Sequence, residues 1–312
     1  MINRTEGHRG LAAAGRIARK TGGPPRGRAL ILLGMVDAEI ADYYGHGLER
    51  DRLAAGRGRI EFIRMLELLQ RYLPPQPATV LDVGGGAGVY AIPLAASGYQ
   101  VHLVDPIPLH VEQAAAASRS AQSPLASVSL GDARMLQQAD GSADGVLLLG
   151  PLYHLTSRAD RVTALREAGR VLRPGGIVVA KALSRFYPVF EGLADGAEPE
   201  PGWRESLPQF LASGQYRNPG GDPAAFTTSY FHRPEELTAE IADAGLRVRE
   251  LLAVSGTVKL LSGLSERLDG AEEREHVLSV LRLVEAEPSL IGLSQNFVAI
   301  AELPAEGGEE GR

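Results

Sequence analysis

Thr79-Val80-Leu81-Asp82-Val83-Gly84-Gly85-Gly86-Ala87-Gly88-Val89 is a short apolar strand carrying one acid, and it runs into a loop with Gly84, Gly86 and Gly88 at every second position. Glycine reaches backbone dihedrals and close approaches that a Cβ forbids. A loop of this kind after a buried strand lets main-chain N–H groups meet a ligand at a helix N-terminus. A dinucleotide loop needs Gly-x-Gly-x-x-Gly or Ala, and counting from Gly84 the last position of that pattern is Val89. The loop by itself specifies a nucleotide-like cofactor and departs from the dinucleotide spacing.

Upstream, apolar residues between 52 and 73 recur at three- and four-residue steps, a helical face that Pro74 and Pro75 end. Downstream the chain alternates. Strands are expected at 79–83, 100–104, 126–130, 144–149 and 175–183, with helices at 88–97, 108–120 and 158–172 between them. Such alternation implies a parallel sheet wrapped by helices on both faces. Pro174-Gly175-Gly176 is expected to form a tight turn into the fifth strand, because proline stops the helix and glycine reverses the chain at low steric cost. Beyond a segment at 184–232, regular order returns with a helix at 234–244, a strand at 247–254, two helical segments within 257–288 and a last strand at 297–303.

Asp105 closes the second strand 17 residues after Gly88 and is followed by Pro106. At the C-terminal edge of the strand beside the glycine loop, its carboxylate faces the ligand crevice and can accept both hydroxyls of a ribose. Read alone, it suits a dehydrogenase and a methyltransferase equally. Asp132, after the third strand, reads either as a cofactor contact or as an N-cap.

Asp82 with Gly84-x-Gly86-x-Gly88 resembles the first motif of class I S-adenosylmethionine (SAM) dependent methyltransferases. Arg170-Val171-Leu172-Arg173-Pro174-Gly175-Gly176 resembles their late motif before the fifth strand. Together with Gly150-Pro151-Leu152-Tyr153-His154-Leu155, that string is similar to the small-molecule branch related to quinone and secondary-metabolite enzymes. The resemblance implies an α/β fold: a doubly wound, seven-stranded Rossmann-like sheet with its last strand antiparallel, an N-terminal helical flap and an inserted cap. It implies SAM as methyl donor and S-adenosylhomocysteine as product. Asp82, Gly84, Gly86, Gly88, Asp105 and Pro106 would then hold the donor. Asp132 would accept the adenine amino group, the backbone N–H of Ala133 would meet a ring nitrogen, and the Gly150 carbonyl would take the methionine amino group.

Tyr44 belongs to Asp42-Tyr43-Tyr44-Gly45-His46, where related enzymes lay a flap over the donor. His154 is the first candidate for a base or orienter and Tyr153 the second, with packing beneath the cap as the alternative for both. Residues 184–232 hold nine of the 17 aromatics, which marks them as a cap with Tyr216, Arg217, Tyr230 and His232, together with Tyr43, as candidate substrate contacts. The same rings could instead form the core of a small cap. The expected organisation is a disordered basic extension (1–35), the flap (36–75), the donor-binding core (76–183), the cap (184–232), the rest of the core (233–304) and a disordered tail (305–312).

Residues 1–34 carry seven Arg or Lys against one acid, a balance of +6, so the remainder of the chain stands at −12 from a total of −6. An acidic body weighs against nucleic acid as substrate and favours a small molecule. The chain has no cysteine, which excludes disulfides and thiolate metal sites and suits a reducing cytoplasm. Its seven histidines form no i, i+3 or i, i+4 pair, so no metal is expected. No apolar run approaches the roughly 20 residues of a bilayer span. A homodimer is compatible with the sequence. Three alternatives stay open: a prenyl diphosphate C-methyltransferase using Arg185, Arg204, Arg217 or Arg233 with magnesium, a nicotinamide-dependent oxidoreductase, and a SAM-binding subunit without turnover.

Overall fold

The computed structural model describes residues 36–45, 53, 56–195, 203–218 and 226–304. The expected extension and tail, and His46 of the flap, lie outside them. Strands β1 (Thr79–Val83), β2 (Gln100–Asp105), β3 (Ser127–Leu130), β4 (Ala143–Leu148) and β5 (Leu172–Ser184) are parallel and stand in the order β3-β2-β1-β4-β5.

The helices preceding and linking them are α1 (Ala38–Gly45), α2 (Gly58–Tyr72), α3 (Ala91–Ala96), α4 (Pro108–Ser120), α5 (Pro151–His154) and α6 (Arg158–Val171). After β5 come α7 (Tyr187–Asp195), α8 (Trp203–Ser213), β6 (Gln215–Tyr216), β7 (Ser229–His232), α9 (Pro234–Asp243), β8 (Arg247–Ala253), α10 (Leu264–Asp269), α11 (Ala271–Val284), α12 (Pro288–Ile291) and β9 (Asn296–Glu302).

β9 lies between β5 and β8 and is antiparallel to both, completing the seven-stranded sheet with an antiparallel last strand. Alternation along the strands builds a core on each face. Val80, Leu147, Leu149, Ile177 and Val179 pack with Met65, Leu68 and Leu94 of α2 and α3. Leu81, Val146, Leu148, Val178 and Ala180 pack with Ala164, Leu165, Leu237 and Ile241 of α6 and α9. Parallel strands buried on both sides need such continuous apolar runs.

Three boundaries differ from the sequence expectation. The helix after the glycine loop begins at Ala91 rather than 88, because Gly88 holds a left-handed φ of 88° that no right-handed helix accepts. α2 begins only at Gly58, after a left-handed Gly56. Pro174-Gly175-Gly176 is a kink inside β5 rather than a turn before it. Leu172 already pairs with Ala143, and Gly175, at φ 78°, donates its N–H to the Leu303 carbonyl at 2.8 Å.

The cap is tied into the sheet. β7 continues the end of β5 in parallel through Leu183–Phe231 and Ser184–His232, and β6 pairs with β7 antiparallel. Two short strands are thereby added to the seven.

Candidate active site

The C-terminal ends of β1, β2, β4 and β5 open into one cavity of about 430 Å³, roofed by α1. Its wall includes Tyr44, Asp82, Gly84, Gly86, Asp105, Pro106, Asp132, Ala133, Gly150, Tyr153 and His154. Residues spread over 111 positions thus meet where the strand order reverses, between β1 and β4, the place at which open parallel sheets take ligands.

The glycine loop is shaped by what surrounds it. Gly84 and Gly86 have φ of 68° and 58°, and a Cβ on Gly84 would stand 2.9 Å from the Pro151 ring. A Cβ on Gly85 would meet the Asp82 carboxylate at 2.7 Å, so the acid lies directly beneath the loop. Asp105 fixes the loop from the other side. Its Oδ2 accepts from the Gly86 N–H at 2.8 Å, and its Oδ1 accepts from the Ile107 N–H at 2.9 Å and from His110 Nδ1 at 3.1 Å. Since each carboxylate oxygen has two lone pairs, Oδ2 retains capacity toward the cavity.

Asp82 is buried, and its Oδ2 has no hydrogen-bond partner among the described atoms. Burial first, then repulsion by Asp105, raises its carboxyl to about 7, against the pull of Lys181. A buried acceptor without a partner beneath a glycine loop suits a ligand that brings a cationic N–H.

His154 and Tyr44 form the opposite wall. His154 Nδ1 lies 3.3 Å from the Thr228 carbonyl, which can only accept, so Nδ1 carries the hydrogen. Nε2 then accepts from the Tyr44 hydroxyl at 2.6 Å. Burial holds the His154 imidazole down to about 4, so it is neutral throughout the physiological range. Tyr44, Tyr153 and Phe226 surround it edge-on or tilted, with Tyr44 and His154 centroids 5.2 Å apart, and His110 packs edge-on against the other side of Tyr44.

Asp132 lines the cavity, but its oxygens are engaged by Arg134, whose backbone N–H and side chain reach Oδ1 at 2.8 and 3.0 Å and whose guanidinium reaches Oδ2 at 2.6 Å. The acid bends this loop as the cap reading anticipates.

Six expected contacts are not brought to the wall. Gly88 backs onto Ile92 and Ala114, where it starts the turn into α3. Tyr43 stacks edge-on with Tyr44 and Phe226. Tyr216 packs on Phe231, and the exposed Arg217 stands 3.5 Å from Asp37. Tyr230 lies under Arg161, at 3.7 Å from its ring centroid, and His232 is buried against Glu240 at 3.2 Å. Tyr230 and His232 are thereby engaged in the polar network under the cap, whereas Phe226 packs on Tyr153 and His154 of the cavity wall.

None of the four arginines considered for a diphosphate lines the cavity, although Arg217 reaches Asp37 at its edge. Arg185 is buried on Tyr230 and Glu236, and Arg233 spans toward Leu211. Among the described residues, no group of three His, Asp or Glu stands close enough to hold a metal, and no helix is long and apolar enough to cross a membrane.

Conversely, His110, Arg134, Asp160 and Lys181 belong to the wall and were not anticipated. His110 had a readable signal, five residues after Asp105 on the helix that Asp105 starts. Lys181 had only its position in an otherwise apolar strand.

Residues 80–176 match the family model for a methyltransferase domain. The chain carries a class I SAM-dependent methyltransferase domain. Relatives of this domain include a ubiquinone biosynthesis O-methyltransferase of Methylocella silvestris, 36% identical over 135 residues, covering 42% of this chain and 49% of that one. A protein of the same name from Azorhizobium caulinodans is 30% identical over 178 residues, covering 57% and 62%. The chain thus spans about half to under two thirds of the length of these relatives. A SAM-dependent methyltransferase of Methanosarcina mazei has the same fold, with a TM-score of 0.53 at 18% identity, covering 77% of this chain and 98% of that one. The matched residues hold the C-terminal ends of β1, β2 and β4, three of the four strands that open into the cavity.

Proposed function

We propose that the protein transfers the methyl group of SAM to an oxygen of a small molecule. The observation that carries this reading is the convergence of the glycine loop, the unpartnered Asp82 oxygen and Asp105 on one cavity that Tyr153 and His154 also line. Asp105 Oδ2 is placed to accept from a ribose hydroxyl and Asp82 to take the methionine ammonium, and Gly150 lines the same cavity. The O-methyltransferase names of the two relatives favour oxygen over nitrogen or carbon as acceptor atom.

Bound SAM supplies an electrophilic methyl on a sulfonium. The chain's own contribution is to align donor and acceptor and keep water away, which carries much of the rate in a displacement of this type. Calorimetry with SAM, S-adenosylhomocysteine and NAD tests the cofactor. One-to-one binding of the first two and none of NAD is expected, and binding of NAD alone would return the oxidoreductase reading. Product formation from labelled SAM with a panel of small hydroxyl compounds then separates an enzyme from a silent SAM-binding subunit.

A weak base such as His154 orients rather than deprotonates. Its neutral Nε2, held by the Thr228 carbonyl through Nδ1, marks the hydroxyl position that Tyr44 fills without ligand. His154→Ala is expected to lower turnover by about 10–100-fold with SAM affinity changed less than about threefold, below the full span of a general base. A new limb in the pH–rate profile of the wild type that this variant removes would make His154 a base instead.

Asp82 gives donor binding a pH signature. An ammonium favours the carboxylate form, so its pKa falls in the complex and a proton is released on binding below pH 7. Affinity for SAM should therefore rise with pH by up to about tenfold per unit until pH 7 and then level off. Titration calorimetry at pH 5.5, 7 and 8.5 in buffers of different ionisation enthalpy measures both effects, and an affinity flat over that range would separate Asp82 from the ammonium. Without ligand the sign is opposite. The raised carboxyl contributes stability that is complete below its ordinary 3.8 and is lost as pH climbs through 7.

A further inference from the structure

β3 runs into Gly131-Asp132-Ala133-Arg134, and there the side chains of Asp132 and Arg134 turn back on each other. Arg134 Nε donates to Asp132 Oδ1 at 3.0 Å and Nη2 donates to Oδ2 at 2.6 Å, so guanidinium and carboxylate meet fork to fork. From the other side, Arg134 Nη1 donates to Asp160 Oδ2 at 3.1 Å, in the first turn of α6. Asp132, Arg134 and Asp160 all line the cavity.

The turn itself is pinned through its backbone. Gly131 donates its N–H to the Asp105 carbonyl at 3.2 Å, Met135 to the Asp132 carbonyl at 3.1 Å, and Leu136 to Glu167 Oε2 at 2.8 Å. What the guanidinium adds is the plane of the carboxylate. The terminal torsion of an aspartate is broad, and a two-point pair fixes it where a single N–H leaves it free to turn.

Each carboxylate oxygen offers two lone pairs. Oδ1 of Asp132 uses both, on the Arg134 backbone N–H at 2.8 Å and on Nε. Oδ2 takes Nη2 and a long, shared contact to Nε at 3.3 Å, and keeps capacity for one further N–H.

We propose that Arg134 is a positioning residue: it holds Asp132 so that this remaining acceptor reads the amino group of the donor's adenine, and the site thereby selects a 6-amino purine over a 6-oxo purine. The assignment rests on the methyltransferase reading above. A 6-oxo purine would set its carbonyl oxygen against the carboxylate, two acceptors with no hydrogen between them, and both would lose their contacts with water. Held by Asp132 and Asp160 from two sides, the guanidinium does not turn to serve that oxygen.

Calorimetry on the full-length protein compares S-adenosylhomocysteine with its 6-oxo analogue, S-inosylhomocysteine. The wild type should prefer the first by about 10–100-fold, the span of one hydrogen bond to a charged group. Arg134→Met should cut that preference to under about threefold, chiefly by weakening S-adenosylhomocysteine. Arg134→Lys keeps the charge without the fork and should fall between, and Asp160→Asn should lower the preference by a smaller factor. Asp132→Asn should lose it as well, since its amide can turn an N–H to the carbonyl, and adding Arg134→Met should then change the preference no further.

Thermal melts show which variants are folded, and Arg134→Lys with Asp160→Asn carries the comparison if methionine is not tolerated. Equal weakening of both ligands in the Arg134 variants is what a merely structural role gives, and it overturns the assignment. So does a preference that those variants leave unchanged. Similar wild-type affinities for the two ligands overturn the reading of the base and leave SAM as the donor. Failure of the wild type to bind either ligand overturns the methyltransferase reading and this assignment with it.

Discussion

Glu240→Leu should destabilise the fold by roughly 3–5 kcal/mol, the usual consequence of leaving a buried charge without its partner. Glu240 on α9 is buried and its two oxygens take Arg161 Nε at 3.1 and 3.0 Å, Arg161 Nη2 at 2.6 Å and His232 Nε2 at 3.2 Å. Arg161 is itself buried on α6, gives its Nη1 N–H groups to the Leu155 and Thr156 carbonyls at 2.9 and 3.0 Å, and covers the Tyr230 ring. One carboxylate therefore joins α9, α6, the cap strand β7 and the loop after α5. Removing it strands a guanidinium where water does not reach.

Thermal and denaturant melts measure the loss, which corresponds to a fall in Tm of order 6–20 °C for a chain of this size. Glu240→Leu combined with Arg161→Met should recover part of it, because the second change removes the stranded charge. A single variant within about 1 kcal/mol of the wild type would show that the network is not a keystone of the cap.

Asp105→Ala should weaken SAM binding by about 10²–10³-fold. Two losses combine. One is the acceptor facing the ribose, and hydrogen bonds to a charged group contribute roughly 1.5–3 kcal/mol each. The other is the position of the glycine loop, since Asp105 alone ties the Gly86 N–H to β2 and also caps the Ile107 N–H at the start of α4. Asp105→Asn keeps one carbonyl acceptor and should fall between the wild type and alanine. Calorimetry with S-adenosylhomocysteine gives the affinities directly. A loss under about fivefold for the alanine variant would remove Asp105 from the donor site and leave it the strand-terminal turn residue that its Ile107 contact also describes.

Much of the donor half of the cavity was legible because its residues sit in contiguous chain. Asp82 through Gly86, Asp105 and Gly150 lie at strand ends, and an alternating α/β pattern sends every parallel strand end to the same edge. The acceptor half was less legible for a geometric reason. Tyr230 and His232 share one face of β7, and nothing in Ser229-Tyr230-Phe231-His232 says whether that face meets the cavity or α9. The structure turns it to α9, and the pair that looked like ligand contacts became partners of Arg161 and Glu240.

Lys181 was obscured the other way. It interrupts a strand that reads as pure core, Ile177 to Leu183, and the arrival of Glu61 from α2, 120 positions away in sequence, helps to make a buried lysine tenable there. Arg161 likewise reads as one more charge on a helix of charges. Neither ion pair has a local signal, because both partners come from distant elements.

The roof of the cavity is shared between the two ends of the chain. Glu39 of α1 accepts from the Thr228 hydroxyl, Tyr43 meets Phe226 at 5.8 Å, and Tyr44 reaches His154, which the cap holds through the Thr228 carbonyl. These joins between α1 and the segment before β7 use rings, a hydroxyl and a carboxylate, with no ladder of main-chain pairs between them among the described residues. None of them is a strand pair, so on the proposed function a substrate is expected to enter by rotation of these side chains and a swing of α1, with the sheet intact. On the same reading, exchange of spent donor for fresh is expected to depend on the grip of Tyr44, Tyr43 and Glu39. The residues that close the chamber act as its escapement, setting how often it turns over rather than what it does.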